Sequence, residues 1–348
     1  MNALAPLVMS PLTAVYGAVV RSRRILYERG TFRRSKLAAP VISVGNITTG
    51  GTGKTPMVLW LASWLAQSGR KVCILTRGYR RRNAERLTIV SDGQEVCAGP
   101  DDAGDEPFLL ATKLLGIASV ISNADRKTAG DLAIEKFGTD TFILDDGFQH
   151  LQLNRDFDIV TIDATNPWGS GSLLPLGRLR EPITSLSRAD CIVLTRTHQV
   201  EEYKSILTHI AKASGGRPVL ISRMQTRGYT RVVTGRTERE VPEVPLAAFC
   251  GIGNSKAFFQ QVESEVGKDL VMKRAFSDHH SYSLKDIAML VDEAKQQGAH
   301  SLVTTEKDAV KLTGFEFGLP CYALAIEIVI DDVQSLTNQI RDFVPGLT

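Results

Sequence analysis

Val41-Ile42-Ser43-Val44-Gly45-Asn46-Ile47-Thr48-Thr49-Gly50-Gly51-Thr52-Gly53-Lys54-Thr55-Pro56 is the stretch from which the rest of the chain is read. A glycine-rich loop cradles phosphates when a strand delivers it and a helix leaves from it. Here VISV precedes the loop and PMVLWLASWLAQS follows it. Backbone N–H groups from Gly50 through Gly51, Thr52 and Gly53 to Lys54 then face an anion, Lys54 reaches β/γ oxygens, and Thr55 offers a hydroxyl to Mg²⁺. Pro56 suits a helix start. The spacing GxxxxGK[ST] asks for glycine at 48, where this chain has Thr48.

Such a loop needs a carboxylate at the end of a nearby buried strand to hold the metal. TFILDDGFQH supplies one, since Phe142-Ile143-Leu144 reads as a buried strand and Asp145 and Asp146 emerge at its carboxyl end. Read without that context, Asp-Asp-Gly is a turn.

Other polar clusters are expected on the same rim. LTRGYRRR sets Arg77 after the strand KVCIL, and DDAGDEP sets Asp105 and Glu106 before a helix. Asp105 reads either as a base that takes a proton from an attacking hydroxyl or as the cap of that helix. ISNADRK places Arg126 at another helix start, facing phosphate or merely exposed. LLPLGRLREP offers Arg178, Arg180 and Glu181 as a clamp for an anionic substrate. FSDHHSYS brings Asp278, His279 and His280 to a strand end, and at most one of two adjacent histidines serves a site. TTEKDAVKL reads as another post-strand cluster or as a solvated helix start.

Strand-like and helix-like runs alternate along the chain, which predicts an α/β fold of the P-loop NTPase type, a parallel sheet covered on both faces. The segment MQTRGYTRVVTGRTEREVPEVP loses periodicity, and a second alternation follows it. The expected organisation is an N-terminal membrane-interfacial region over 1–30, a P-loop core over 31–222, a linker over 223–244 and a smaller α/β domain over 245–348. Length (348 residues), 43% hydrophobic and 23% charged content fit an ordered globular chain. A net charge of +3 and an arginine knot (Arg77, Arg80, Arg81, Arg82) with Tyr79 as its one aromatic argue against a nucleic-acid partner. Five scattered cysteines without a CxxC pair favour reduced thiols. Residues 1–20 are uncharged but broken by Pro6 and Pro11, which argues against a signal peptide or a spanning helix. A helix over about Leu12–Tyr27 lies either on a lipid surface or on the protein's own core.

VGNITTGGTGKTP, LTRGYRRR, GDEPFLLA, NADR, DDGFQHLQLNRDFDIV, LLPLGRLREP, FSDHHSY and TTEKDAVKL, in this order over about 41–312, resemble the tetraacyldisaccharide 4′-kinases, the lipid A 4′-kinase family of Gram-negative bacteria. In that family Thr48 is an ordinary loop residue. The resemblance implies transfer of the ATP γ-phosphate to the 4′-hydroxyl of a tetraacylated disaccharide 1-phosphate, giving lipid IVA. It implies Lys54 and Thr55 at phosphate and Mg²⁺, Asp145 and Asp146 near the metal, and Asp105 as base supported by His279. Glu106, Arg77, Gln149 and Arg126 become site neighbours. It further implies a smaller α/β domain joined by a β-ribbon hinge, and a monomer held peripherally on the cytoplasmic face of the inner membrane by its N-terminal helix. A P-loop ATPase switch acting at a membrane is the alternative; such proteins carry a lysine before the paired glycines, where this chain has Thr49.

Overall fold

The computed structural model describes residues 4–79, 81–232, 237–238, 241–344 and 346–347. The chain divides into two compact units, one of Met1–Arg223 with Ile328–Thr348 and one of Met224–Glu327. In chain order the strands are β1 (Val41–Gly45), β2 (Val72–Thr76), β3 (Thr88–Ser91), β4 (Ala118–Ser122), β5 (Thr141–Asp145), β6 (Phe157–Asp163), β7 (Cys191–Thr195), β8 (Val219–Arg231), β9 (Thr237–Glu238), β10 (Leu246–Cys250), β11 (Leu270–Ala275), β12 (Ser301–Thr305) and β13 (Cys321–Ile330). The helices are α1 (Leu4–Glu28), α2 (Lys54–Gln67), α3 (Pro100–Ala103), α4 (Asp105–Lys113), α5 (Arg126–Phe137), α6 (Lys204–Ser214), α7 (Ser255–Val266), α8 (Leu284–Gln296), α9 (Glu306–Ala309) and α10 (Val333–Phe343).

In the first unit the strand order is β8-β7-β6-β1-β5-β2-β4-β3. The pairs are parallel except β3 with β4. VISVG, VCILT, TFILD and FDIVTID are mostly apolar and do not alternate in burial, as strands covered on both faces require, and all are buried throughout. Helix α2 covers the sheet with Met57, Val58, Leu61, Ala62 and Leu65. Asp125 starts α5 by accepting from the Lys127 and Thr128 N–H groups, and Gly138 ends it at φ 62°.

The second unit has its own parallel order, β11-β10-β12-β13. Helix α8 buries Ile287, Leu290, Val291 and Ala294, one stripe at helical spacing, against Phe249, Met272 and Tyr282. Ser283 and Asp286 close a capping box at its start. Strand β8 pairs antiparallel with β9 through Tyr229 with Glu238 and Thr230 with Thr237. The remainder of the expected ribbon, 233–236 and 239–240, lies outside the described residues.

The expected smaller domain over 245–348 differs from the second unit at both ends. It begins earlier, at Met224, and the chain leaves it at Ile328. The cause is α10, whose Leu336 and Ile340 are fully buried and whose Phe343 ring stands 5.3 Å from that of Phe157 in the first unit. Each such apolar side chain contributes about 1.5–3 kcal/mol by burial. The return is fixed at its start by the Asp331 N–H on the Ile221 carbonyl (3.0 Å) and by the Arg223–Asp331 ion pair (3.1 Å).

Helix α1 is longer than the expected Leu12–Tyr27 and continues through Pro11. One face lies on the first unit: Thr13 accepts from the Leu176 N–H, Tyr16 donates to the Arg180 carbonyl (2.9 Å), and Arg23 donates to the Gln149 carbonyl (3.1 Å). Leu12, Val15 and Val19 are 55–62% exposed. Among the described residues, no helix is long and apolar enough to cross a membrane.

Candidate active site

Register places the site. Val44 lies opposite Asp145, so the loop after β1 and the Asp145–Asp146 pair leave neighbouring parallel strands at the same end. The two segments touch where Gly45 meets Phe148: a Cβ on Gly45 would sit 2.6 Å from the Phe148 Cβ and 2.8 Å from its backbone nitrogen.

The loop is held by side chains outside its own motif. Asn46 donates to Thr52 Oγ1 (3.0 Å), Thr52 and Thr161 hydroxyls share a 2.8 Å bond, and Thr161 donates to the Gly45 carbonyl (3.2 Å). Thr195 donates to the Thr52 carbonyl (3.0 Å), and Arg196 bridges the Gly51 carbonyl (2.8 Å) and Asp163 (2.6 Å). On the other side the Thr49 N–H reaches the Arg178 carbonyl, and the Arg180 N–H reaches the Ile47 carbonyl, each at 2.7 Å. The hydroxyl of Thr52 is therefore engaged with the scaffold, and buried Thr48 sits in a bridge with Leu179. What Thr52 has left to offer an anion is its backbone N–H.

Gly50 and Gly53 take φ of 114° and 87°, and Gly53 caps α2 with no side chain. The first N–H groups of α2 are thus left without a side-chain acceptor from the cap, an arrangement suited to an anion.

Lys54 stands 3.3 Å from Asp146 Oδ1, while Arg180 Nη1 is 2.6 Å from Asp146 Oδ2. Burial by itself pushes the Asp146 carboxyl up, but the Lys54 and Arg180 charges outweigh it and hold the group below the usual carboxylate range. Asp145 behaves oppositely. Burial first, then the negative charges of Glu106 and Asp146, push it up to about 7, against the pull of Lys54 and a hydrogen bond from Thr76 (3.2 Å). The Asp145 and Asp146 carboxylates and the Thr55 hydroxyl are hard oxygen donors, the ligand type Mg²⁺ takes. Asp146 Oδ1 is buried and faces the Lys54 ammonium at 3.3 Å, so a metal cation would have to share or take that oxygen.

Arg180 also reaches Gln149 Oε1 (3.4 Å), whose Nε2 donates to Glu181 (3.0 Å) and to the Asn46 carbonyl (2.9 Å). Arg188 closes this chain with two bonds to Glu181 (2.7 and 3.0 Å) while lying 4.3 Å over the Phe148 ring. Gln149 and Glu181 thus orient Arg180. The sequence-based reading of Glu181 as a direct substrate clamp meets a buried carboxylate already held by Arg188.

Asp105 is the first residue of α4, not its cap: Gly104 is the cap, at φ 92° and with no side-chain bond. Asp105 and Glu106 are half-buried. Arg77 is exposed just beyond β2. Arg126 is buried, with its Nη1 on the carbonyls of Asn123 (2.7 Å) and Ala124 (3.2 Å). Burial lowers it to about 10. Of the arginine knot, Arg81 is buried on the Ser122 and Ala84 carbonyls, Arg82 pairs with Asp101, and Arg80 lies outside the described residues. In the second unit, His279 Nε2 is 3.1 Å from Lys307 Nζ.

Asn46, Thr161, Thr195, Arg196 and Arg188 escaped the sequence reading. A signal existed for Thr161 alone, a polar residue inside the otherwise apolar strand interior IVTI.

A phosphate loop between β1 and an uncapped helix, with paired carboxylates on the adjacent strand, defines an α/β protein of the P-loop type. The model of one family, Tetraacyldisaccharide-1-P 4'-kinase, matches residues 5–345, and the chain belongs to that family. It is 39% identical to a tetraacyldisaccharide 4'-kinase of Desulfotalea psychrophila, over 90% of each chain. It is 40% identical to that of Geobacter metallireducens, over 95% of this chain and 96% of the other. A crystal structure of LpxK from Aquifex aeolicus in complex with ATP superposes with a TM-score of 0.76 at 33% identity, covering 96% of this chain and 98% of that one.

Proposed function

We propose that the chain transfers the γ-phosphoryl group of ATP to the 4′-hydroxyl of a tetraacyldisaccharide 1-phosphate, giving lipid IVA for lipid A. The observation that carries this reading is the Lys54–Asp146–Arg180 cluster beside an uncapped helix start, in a chain of this family. Backbone N–H groups of Gly50 to Lys54 bind the triphosphate, and Lys54 neutralises the charge that develops on the transferred group. Mg²⁺, held by Thr55, Asp145 and Asp146, supplies further charge neutralisation when bound. Arg180, oriented by Gln149 and Glu181, faces the same charge, with Arg77 and Arg126 adding positive potential.

Asp105 takes the proton of the 4′-hydroxyl as its oxygen bonds to phosphorus, and ADP leaves with the electrons of the broken P–O bond. His279 is assigned a catalytic role by the family resemblance. The exposed stripe of Leu12, Val15 and Val19 on α1, with Arg21 and Arg24 beyond it, supports peripheral contact with the cytoplasmic face of the inner membrane, where such a lipid resides.

The test is transfer of labelled γ-phosphate from ATP to the tetraacyldisaccharide 1-phosphate in detergent micelles. Asp105→Ala is expected to keep ATP binding and lose most turnover, and Lys54→Ala to damage both. ATP hydrolysis without a phosphorylated lipid would favour the switch-ATPase alternative, and full turnover in Asp105→Ala would remove that residue from the base role.

A further inference from the structure

The loop bearing His279 is fastened within the second unit from several sides. His279 sits at φ 58°, a left-handed conformation uncommon for a residue with a Cβ, and its N–H donates to the Gly251 carbonyl (2.9 Å). Asp308, fully buried, accepts from the Gly251 N–H (2.9 Å) and the Thr305 hydroxyl (2.7 Å) and faces the Lys311 ammonium at 2.9 Å. Lys311 donates in turn to the His280 carbonyl (2.9 Å). TTEKDAVKL is therefore the segment that pins FSDHHSY to the end of β10, a role its reading as a solvated helix start does not contain.

Within that frame Lys307 Nζ lies 3.1 Å from His279 Nε2. An ammonium has three donors and no acceptor, so the ring nitrogen must present its lone pair. A neutral imidazole with a lone pair on Nε2 carries its proton on Nδ1. We infer that Lys307 is a positioning residue that fixes His279 as the Nδ1–H tautomer. This rests on the proposed catalytic role of His279. For that role the tautomer decides the sign of the interaction: an Nδ1–H donates to a carboxylate, whereas an Nδ1 lone pair repels it.

The experiment compares Lys307→Met and Lys307→Arg with the unmodified full-length protein by steady-state kinetics and by ¹⁵N resonances of the His279 ring, assigned with His279→Gln. Lys307→Met is expected to lower kcat at least about tenfold, within the range of acid–base contributions, with both KM values nearly unchanged. The Nε2 resonance should move from the lone-pair range towards the N–H range, and Lys307→Arg, which retains a donor, should restore part of both. Unchanged ring resonances would overturn the inference, as would a changed tautomer with unchanged kcat. Failure of the unmodified protein to phosphorylate the lipid would instead sink the kinase reading, and the ring measurement would still report the tautomer.

Discussion

Lys54 is parked on Asp146. The loop lysine, the group expected to meet the nucleotide phosphates, stands 3.3 Å from a carboxylate that Arg180 holds from the other side at 2.6 Å. Two cations around one anion keep the loop lysine beside the strand end at which a metal would bind. On the proposed reading a nucleotide would compete with Asp146 for both cations, and Asp146 would then be available to a metal.

Asp146→Asn separates these effects. Removing the carboxylate frees Lys54 and Arg180 for phosphate, so ATP affinity without Mg²⁺ should hold or tighten, while Mg²⁺-dependent turnover should fall by about 10²-fold or more through the lost ligand charge. Calorimetric ATP titrations with and without Mg²⁺, alongside the transfer assay, check both parts. Intact Mg²⁺-dependent turnover would remove Asp146 from the metal set.

Gly45 and Gly51 should respond in opposite ways to alanine. At Gly45 the added methyl meets Phe148 Cβ at 2.6 Å and backbone nitrogen at 2.8 Å, so a strand or the Phe148 turn must shift, at about 1–3 kcal/mol. At Gly51 nothing lies within 4 Å of the new atom. Stability should be nearly unchanged there and ATP affinity reduced, since the methyl intrudes where the loop faces phosphate. Urea unfolding and nucleotide titration of the two variants check this.

His150 sets an acid-side limit on stability. Burial first, then the charges of Arg126, Arg155 and Arg23, lower it to about 4, whereas an unfolded histidine titrates near 6.5. Between these values the unfolded chain binds the extra proton and the folded one does not, so stability is lost as pH falls from about 6.5 towards about 4. The loss approaches about 3 kcal/mol at most, less whatever solvent screening removes. His150→Gln should flatten that limb of a pH series of urea denaturations and leave stability at pH 8 little altered.

The parts of the fold and site that were legible in the sequence are those written locally. Buried parallel strands appear as mostly apolar runs, and the phosphate loop, with its helix start, is contiguous. The edge strand β3 was missed because TIVS is short and pairs antiparallel to β4, leaving little periodicity to see. Asp105 read equally well as a cap, because one residue decides between cap and first turn and Gly104 carries no side chain to announce itself. The bracing of the loop by Thr161, Thr195 and Arg196 was invisible because those residues are more than a hundred positions away from it. The return of α10 depends on Phe157 and Ile221, which no local pattern connects to the C-terminus.

The exposed stripe on α1 gives a further prediction. Leu12→Ser, Val15→Ser and Val19→Ser together should reduce co-sedimentation with anionic vesicles severalfold and leave transfer to a micellar acceptor within about twofold, since none of the three is among the helix residues bonded to the loops. Vesicle binding equal to that of the unmodified protein would count against the lipid contact.

Helix α1 is more than an attachment device, because Tyr16 and Arg23 hold the Arg180 and Gln149 backbones. Cutting it away to obtain a freely soluble enzyme would loosen the arginine that grips Asp146. An inactive truncation could then be mistaken for a demand for the bilayer, when what had been lost was a splint on the loop that carries Arg180.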